Sequence, residues 1–179
     1  MSRAFVRESD GDELVDAPAR RHSEYPNYIT ESGERALRAT IAHLSTERIV
    51  QVSSTDVSAK GLVRRLDAEL EFRNERLRRA IVVATPPAPW THVRIGATVT
   101  FVDATKGPFE FTVVGEDEGD AAVGRISWTS PLGRALVGAT INECVTWPRA
   151  DGTVNITITA IDYPCASLRG KTNDVGLAK

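Results

Sequence analysis

The pair Ser130-Pro131 constrains this chain more than any other two residues, because of what stands on either side of it. Before it, residues 124–129 alternate: Ile126 and Trp128 fall on one face, Arg125, Ser127 and Thr129 on the other. That is the period-2 pattern of a half-buried strand. At the pair itself, a serine can cap a helix through its hydroxyl. Proline suits the first helical position, where φ is preset and no N–H is needed. Leu132, Ala135 and Leu136 then make an i, i+3, i+4 apolar face, and Gly138 stops the helix. Upstream, Val113, Val114 and Gly115 read as a strand end running into acidic residues 116–120. Residues 114–138 are thus predicted to be strand, acidic turn, strand and a short helix.

The N-terminal half has another period. Thr30 is placed to cap a helix whose first turn carries Glu31 and Glu34, where the helix dipole favours acids. Leu37, Ile41 and Leu44 form its seam. Residues 49–52 (Ile, Val, Gln, Val) are mostly β-branched, so the helix is expected to fray there or to hold only by packing. Ser53, Ser54, Thr55 and Asp56 break it and offer a new cap. A second helix is predicted over 57–83, its seam made by Leu62, Leu66, Leu70, Leu77 and Ile81, with Arg73 in the missing repeat. Two helices about a short polar tip predict an antiparallel hairpin over 29–83.

Residues 1–28 lack a helical stripe and read as an extended leader. Residues 84–90, with Pro86, Pro87 and Pro89, cannot continue a helix and read as a linker. In the second domain, 91–164, strands are predicted over 93–102 (interrupted at Gly96), 109–114, 125–129, 143–147 and 154–161. Turns are predicted at 106–108 and at Asp151-Gly152, and 165–179 is expected to be a disordered tail. The fold class is α+β, a helical hairpin followed by a sheet domain with one short helix.

Composition narrows the function classes. With 179 residues, there is room for one or two small domains, and 41% hydrophobic with 26% charged residues describes an ordinary soluble protein. The longest apolar runs, such as 80–84, are too short to span a bilayer, and the N-terminus has no signal-peptide core. Cys144 and Cys165 lack metal or redox spacing and are expected to be free thiols of a cytoplasmic protein. The net charge of −2 leaves no segment basic enough to bind nucleic acid alone, so a role near DNA or RNA would run through a protein partner. His22, His43 and His92 are scattered without a nucleophile, and the chain is not expected to be an enzyme.

Three blocks in order carry a resemblance: Val114-Gly115-Glu116-Asp117-Glu118, Gly124-Arg125-Ile126-Ser127 and Ser130-Pro131-Leu132-Gly133-Arg134-Ala135-Leu136, followed by a last strand ending Ala160-Ile161-Asp162-Tyr163. Together they resemble the C-terminal domain of the Gre family, the GreA and GreB transcript-cleavage factors that enter the secondary channel of bacterial RNA polymerase. The resemblance implies an N-terminal coiled coil and an FKBP-like C-terminal sheet. It also implies RNA polymerase as partner, with Ser130, Pro131, Leu132 and Arg134 docking on the β′ coiled coil at the channel rim. A monomer is expected, with no membrane association and no cofactor of its own. Gly133 stands where the family commonly has Ala, a small change in helix propensity.

Gre factors place two carboxylates at the hairpin tip, which help hold the second Mg²⁺ of the polymerase active site, a hard cation that wants oxygen ligands and activates the attacking water. Here the tip is Ser54, Thr55 and Asp56. Asp56 can stand for the first acid or can simply be a helix cap. Three residues on comes Ala59, followed by Lys60, so the family's glutamate is absent. Each arm also reads about one heptad short, or ~10 Å less reach at about 1.5 Å per residue. Both departures point to a channel binder without efficient cleavage, akin to the short-armed regulator of nucleoside diphosphate kinase. The alternatives are cleavage through Asp56 with Glu47 or Asp67 as surrogate acids, and, remotely, prolyl isomerisation. The acids of 116–120 read as solvated rather than as a cation site. Arg73, Arg76, Arg78 and Arg79 read as a solvated helix surface interleaved with Glu71 and Glu75, or as a weak contact to RNA.

Overall fold

The computed structural model describes residues 23–54, 56, 58–103, 107–150 and 152–163. Most of the expected leader and the whole expected tail lie outside these residues, as do Thr55, Val57, Lys106 and Asp151.

Thr30 has extended backbone and its hydroxyl accepts from the N–H of Gly33 at 2.9 Å, which starts helix α1 (Glu31–Val52) at the expected place. Fraying at 49–52 does not occur: the helix includes these residues, and the N–H of Ser53 closes it on the Ile49 carbonyl at 3.3 Å. Packing does not hold them either, since Ile49, Val50 and Val52 are 65%, 61% and 57% exposed. Helix α2 (Ala59–Arg78) lies back along α1 with Leu37 and Leu66 buried on the seam, and Arg48 pairs with Asp67 across the hairpin.

The second helix ends at Arg78, short of the predicted 83. The chain turns at Arg79 and Ala80. Ile81–Val83 becomes strand β2, parallel to β1 (Tyr28–Thr30), in register Tyr28 with Ile81 and Thr30 with Val83. A β-branched run loses side-chain freedom in a helix and suits a ladder, and Pro86 and Pro87 forbid helix beyond it. Asn27 secures the turn: its carbonyl accepts from the Ile81 N–H at 2.8 Å and its amide donates to the Arg76 carbonyl at 2.7 Å. The last residues assigned to the leader are therefore part of the fold. The linker is anchored at its far end, where the indole of Trp90 donates to the Pro86 carbonyl at 3.0 Å and lies 5.2 Å from the Tyr163 ring.

The second part is a five-stranded sheet of order β5-β4-β3-β7-β6, built from β3 (Thr98–Asp103), β4 (Gly107–Val114), β5 (Arg125–Ser127), β6 (Cys144–Arg149) and β7 (Gly152–Asp162). All pairs are antiparallel except β4 with β5. The strand predicted over 93–102 begins only at Thr98, because Gly96 has φ +94°, a turn conformation, and Val93 bonds instead to Ala139. Two of the residues predicted to turn at 106–108 are strand instead: Gly107 and Pro108 open β4, and Pro108 pairs with Val102 beyond the reach of β5, where a missing N–H is tolerated. Helix α3 (Pro131–Leu136) sets Leu132 and Leu136 into a core with Val99, Phe101, Val113, Ile126, Ile156 and Ile158. Each such side chain stabilises by about 1.5–3 kcal/mol through burial. Among the described residues no helix is long and apolar enough to cross a membrane.

Candidate docking face, interdomain clasp and hairpin tip

The start of α3 is built as its sequence dictates. Ser130 Oγ accepts from the Gly133 N–H at 3.0 Å and donates to the Ser127 carbonyl at 2.7 Å, so one hydroxyl ties the helix to the strand before it. Pro131 is the first helical residue and is exposed, as is Arg134. Leu132 is different. Its side chain is buried in the core beside Leu136, so it supports the face rather than forming part of it. The i, i+4 spacing of the two leucines makes this unavoidable once Leu136 faces inward. Gly133 also has a larger role than propensity. A Cβ there would overlap the Ser127 carbonyl and come within 2.8 Å of Trp128 Cα. The bare backbone is what lets the helix sit so close.

The acidic turn is only partly solvated, with Asp117 and Asp120 exposed and Glu116 and Glu118 half-buried, and the arginines of α2 are not equivalent. Residues Glu116–Glu118 form a single 3-10 turn against the base of the hairpin. Arg76, only 4% exposed, donates from Nε to Asp117 at 2.6 Å and from Nη2 to Glu116 at 3.4 Å. Glu118 accepts from the Thr30 N–H at 2.9 Å, from the Thr30 hydroxyl at 2.5 Å and from the Gly115 N–H at 3.1 Å. Arg73, Arg78 and Arg79 remain on the helix surface, paired with Glu69 and Glu75. Two features that each read as ordinary surface in sequence are thus the two halves of one clasp, brought together from about forty residues apart. Beside the clasp, the rings of Tyr25 and Tyr28 stand edge-on to Trp128 at 5.7 and 5.3 Å.

At the far end of the hairpin, Asp56 is exposed. Its Oδ1 accepts from the Ser58 N–H at 3.0 Å, and its carbonyl accepts from the Ala59 N–H at 3.1 Å. The Ser58 hydrogen bonds hold its carboxyl below the usual range, so it is ionised at neutral pH. Ser54 Oγ accepts from the Asp56 N–H at 3.2 Å, while Thr55 lies outside the described residues. Asp56 therefore does what a helix-entry residue does, although α2 itself begins at Ala59. Ala59 is buried against the hairpin. Glu47 and Asp67 stand about 7 and 12 Å along their helices from the tip, at about 1.5 Å per residue, and Asp67 is already paired with Arg48.

A two-helix arm clasped at its base to a five-stranded sheet, with a capped Ser-Pro helix on the flank, defines an arm-bearing α+β protein. Residues 88–163 match the family described as "Transcription elongation factor, GreA/GreB, C-term". The chain is 32% identical over 152 residues to the transcription elongation factor GreA of Chloroflexus aggregans, an alignment covering 76% of this chain and 97% of that one. It is 32% identical over 157 residues to the GreB of Neisseria meningitidis serogroup A, covering 79% and 96%. A solved GreA/GreB factor from Nitrosomonas europaea is similar at 23% identity, covering 76% and 98%, with a TM-score of 0.39. The chain belongs to the GreA/GreB family of transcription elongation factors.

Proposed function

We propose that this protein docks on RNA polymerase through the face around Ser130, Pro131 and Arg134 and directs its hairpin into the secondary channel. There it modulates elongation without efficient transcript cleavage. It acts as a cytoplasmic monomer, has no catalytic centre of its own, and meets Mg²⁺ only as the polymerase's ion. Membership of the GreA/GreB family supports the partner.

One observation carries the loss of cleavage. Between Glu47 and Asp67 the only acid is Asp56, and that carboxylate is tied to the Ser58 N–H. The position where a second acid would stand holds Ala59, buried in the hairpin, and the neighbouring turn of α1 exposes Ile49, Val50 and Val52. One acid beside an apolar patch is a poor ligand set for a cation that takes six oxygens. Contact with RNA would fall to Arg73, Arg78 and Arg79, whose charge is already shared with helix glutamates.

The test is a stalled, backtracked elongation complex supplied with Mg²⁺, with this protein alone and in competition with an active GreA. The RNA should stay uncut with this protein alone, and the active factor should be inhibited in proportion to the amount added. An exposed, ionised Asp56 keeps the cleavage reading open to the same assay: shortened RNA, abolished by Asp56→Ala, would establish it and reject the inactive tip. If there is neither cleavage nor competition, the docking proposal falls.

A further inference from the structure

The segment before the hairpin carries an aromatic residue whose position no local role explains. Tyr25 is 46% exposed, although its ring stands against Trp128, and its hydroxyl accepts from Arg134 Nη1 at 3.4 Å across 109 residues of sequence. Arg134 has no carboxylate partner among the described residues, a state it shares with the exposed Arg35, Arg64, Arg65, Arg94 and Arg125, and its side-chain hydrogen bond is the one to Tyr25. Beside Tyr25 and Arg134 lie Pro131 and Val137, both exposed. The patch therefore combines an exposed tyrosine, an arginine that has no carboxylate partner among the described residues and donates to that tyrosine's hydroxyl, and two apolar neighbours.

We infer that Tyr25 is part of the docking face, and that this face takes an acidic, partly apolar protein surface of RNA polymerase. The inference rests on the docking proposal above and extends it to a residue outside the Gre C-terminal region. Tyrosine and arginine are the residue types that dominate binding energy at interface centres, since each offers large area with few rotamers or a planar fork of donors. One N–H of Arg134 is used on Tyr25, which orients the guanidinium and leaves its other donors for a carboxylate. Continuity with Pro131 and Arg134 of the proposed docking face, and a positive charge without a carboxylate partner among the described residues, favour the polymerase over a second copy of this chain.

Binding of the full chain to core RNA polymerase tests this, with Tyr25→Ala, Tyr25→Phe, Arg134→Ala and the double variant Tyr25→Ala with Arg134→Ala. Tyr25→Ala should weaken binding about tenfold and Tyr25→Phe about threefold, with the melting temperature near that of the wild type. Tyr25→Ala should cost less in the Arg134→Ala background, because contacting residues are not additive. Wild-type affinity for Tyr25→Ala alongside weakened Arg134→Ala would overturn the inference and leave the docking face standing. No loss with either single variant would overturn both. A photo-crosslinking residue at position 25 covers the case where Tyr25→Ala folds poorly. Crosslinks to the polymerase subunit that position 134 also reaches support the inference, and crosslinks only to another copy of this chain reject it.

Discussion

Arg76→Ala should lower the stability of this protein by about 2–3 kcal/mol. Arg76 is almost wholly buried and bonds to two carboxylates, Asp117 and Glu116. Removing one member of a buried pair leaves the others uncompensated, commonly at 3–5 kcal/mol. The lower range applies because both acids are about a third exposed and can regain water. Urea denaturation reads the change as a lower midpoint at unchanged slope, and a thermal scan as a fall of roughly 4–12 °C for a chain of this size. Arg76→Lys should fall between, since a point charge cannot span both acids as a guanidinium does. Arg78→Ala, on the same helix but exposed and paired with Glu75, should change stability by less than about 0.5 kcal/mol. Equal small effects at both positions would mean that the clasp is only a surface ion pair. Because the clasp joins the base of the arm to the sheet, Arg76→Ala should also weaken competition with an active GreA more than it weakens binding to core polymerase.

What could be read from sequence was what is decided locally. Ser130, Pro131 and Gly138 bound a helix whose cap, first residue and stop lie within nine residues, and each works through its own neighbours. The alternation from Arg125 to Ser127 and the seam through Leu37 and Leu66 likewise need only a period and a face. The reading failed where the deciding partner is distant. Ile81–Val83 can be helix or strand by composition, and Tyr28–Thr30, some fifty residues earlier, decides it. Arg76 looks like its neighbours Arg73 and Arg79 until the turn Glu116–Glu118 is folded against it. The acids of that turn look solvated until Thr30 arrives with two donors. The one available signal was the Val-Gly-Glu-Asp-Glu block itself, in which a glycine precedes three acids. It marks a close backbone approach as well as an acidic turn, but nothing in it says what approaches.

Gly115 identifies that approach and supplies the second large effect. A Cβ on Gly115 would lie 2.5 Å from the Tyr28 carbonyl, 2.6 Å from Glu118 Oε1 and 3.3 Å from Ile29 Cα. Two of the three obstacles are backbone, so β1 must retreat or the turn must open, and either motion pulls Glu118 off Thr30. Gly115→Ala is therefore expected to cost about 1–3 kcal/mol, although its own φ of −60° suits alanine. Gly61 gives the opposite sign with the same substitution. It lies inside α2 with nothing within 4 Å of its would-be Cβ, so Gly61→Ala should stabilise by about 0.5–1 kcal/mol by relieving glycine's entropy cost in a helix. Urea midpoints of the two variants should move to opposite sides of the wild type. If Gly115→Ala were neutral, the base of the arm would have enough slack to absorb a methyl group, and the clasp could not fix the direction in which the hairpin points. If it destabilises as expected while Gly61→Ala stabilises, the junction between arm and sheet is a packed interface. The tip's position relative to the docking face then follows from residues Tyr28–Thr30, Arg76 and Glu116–Glu118 acting together.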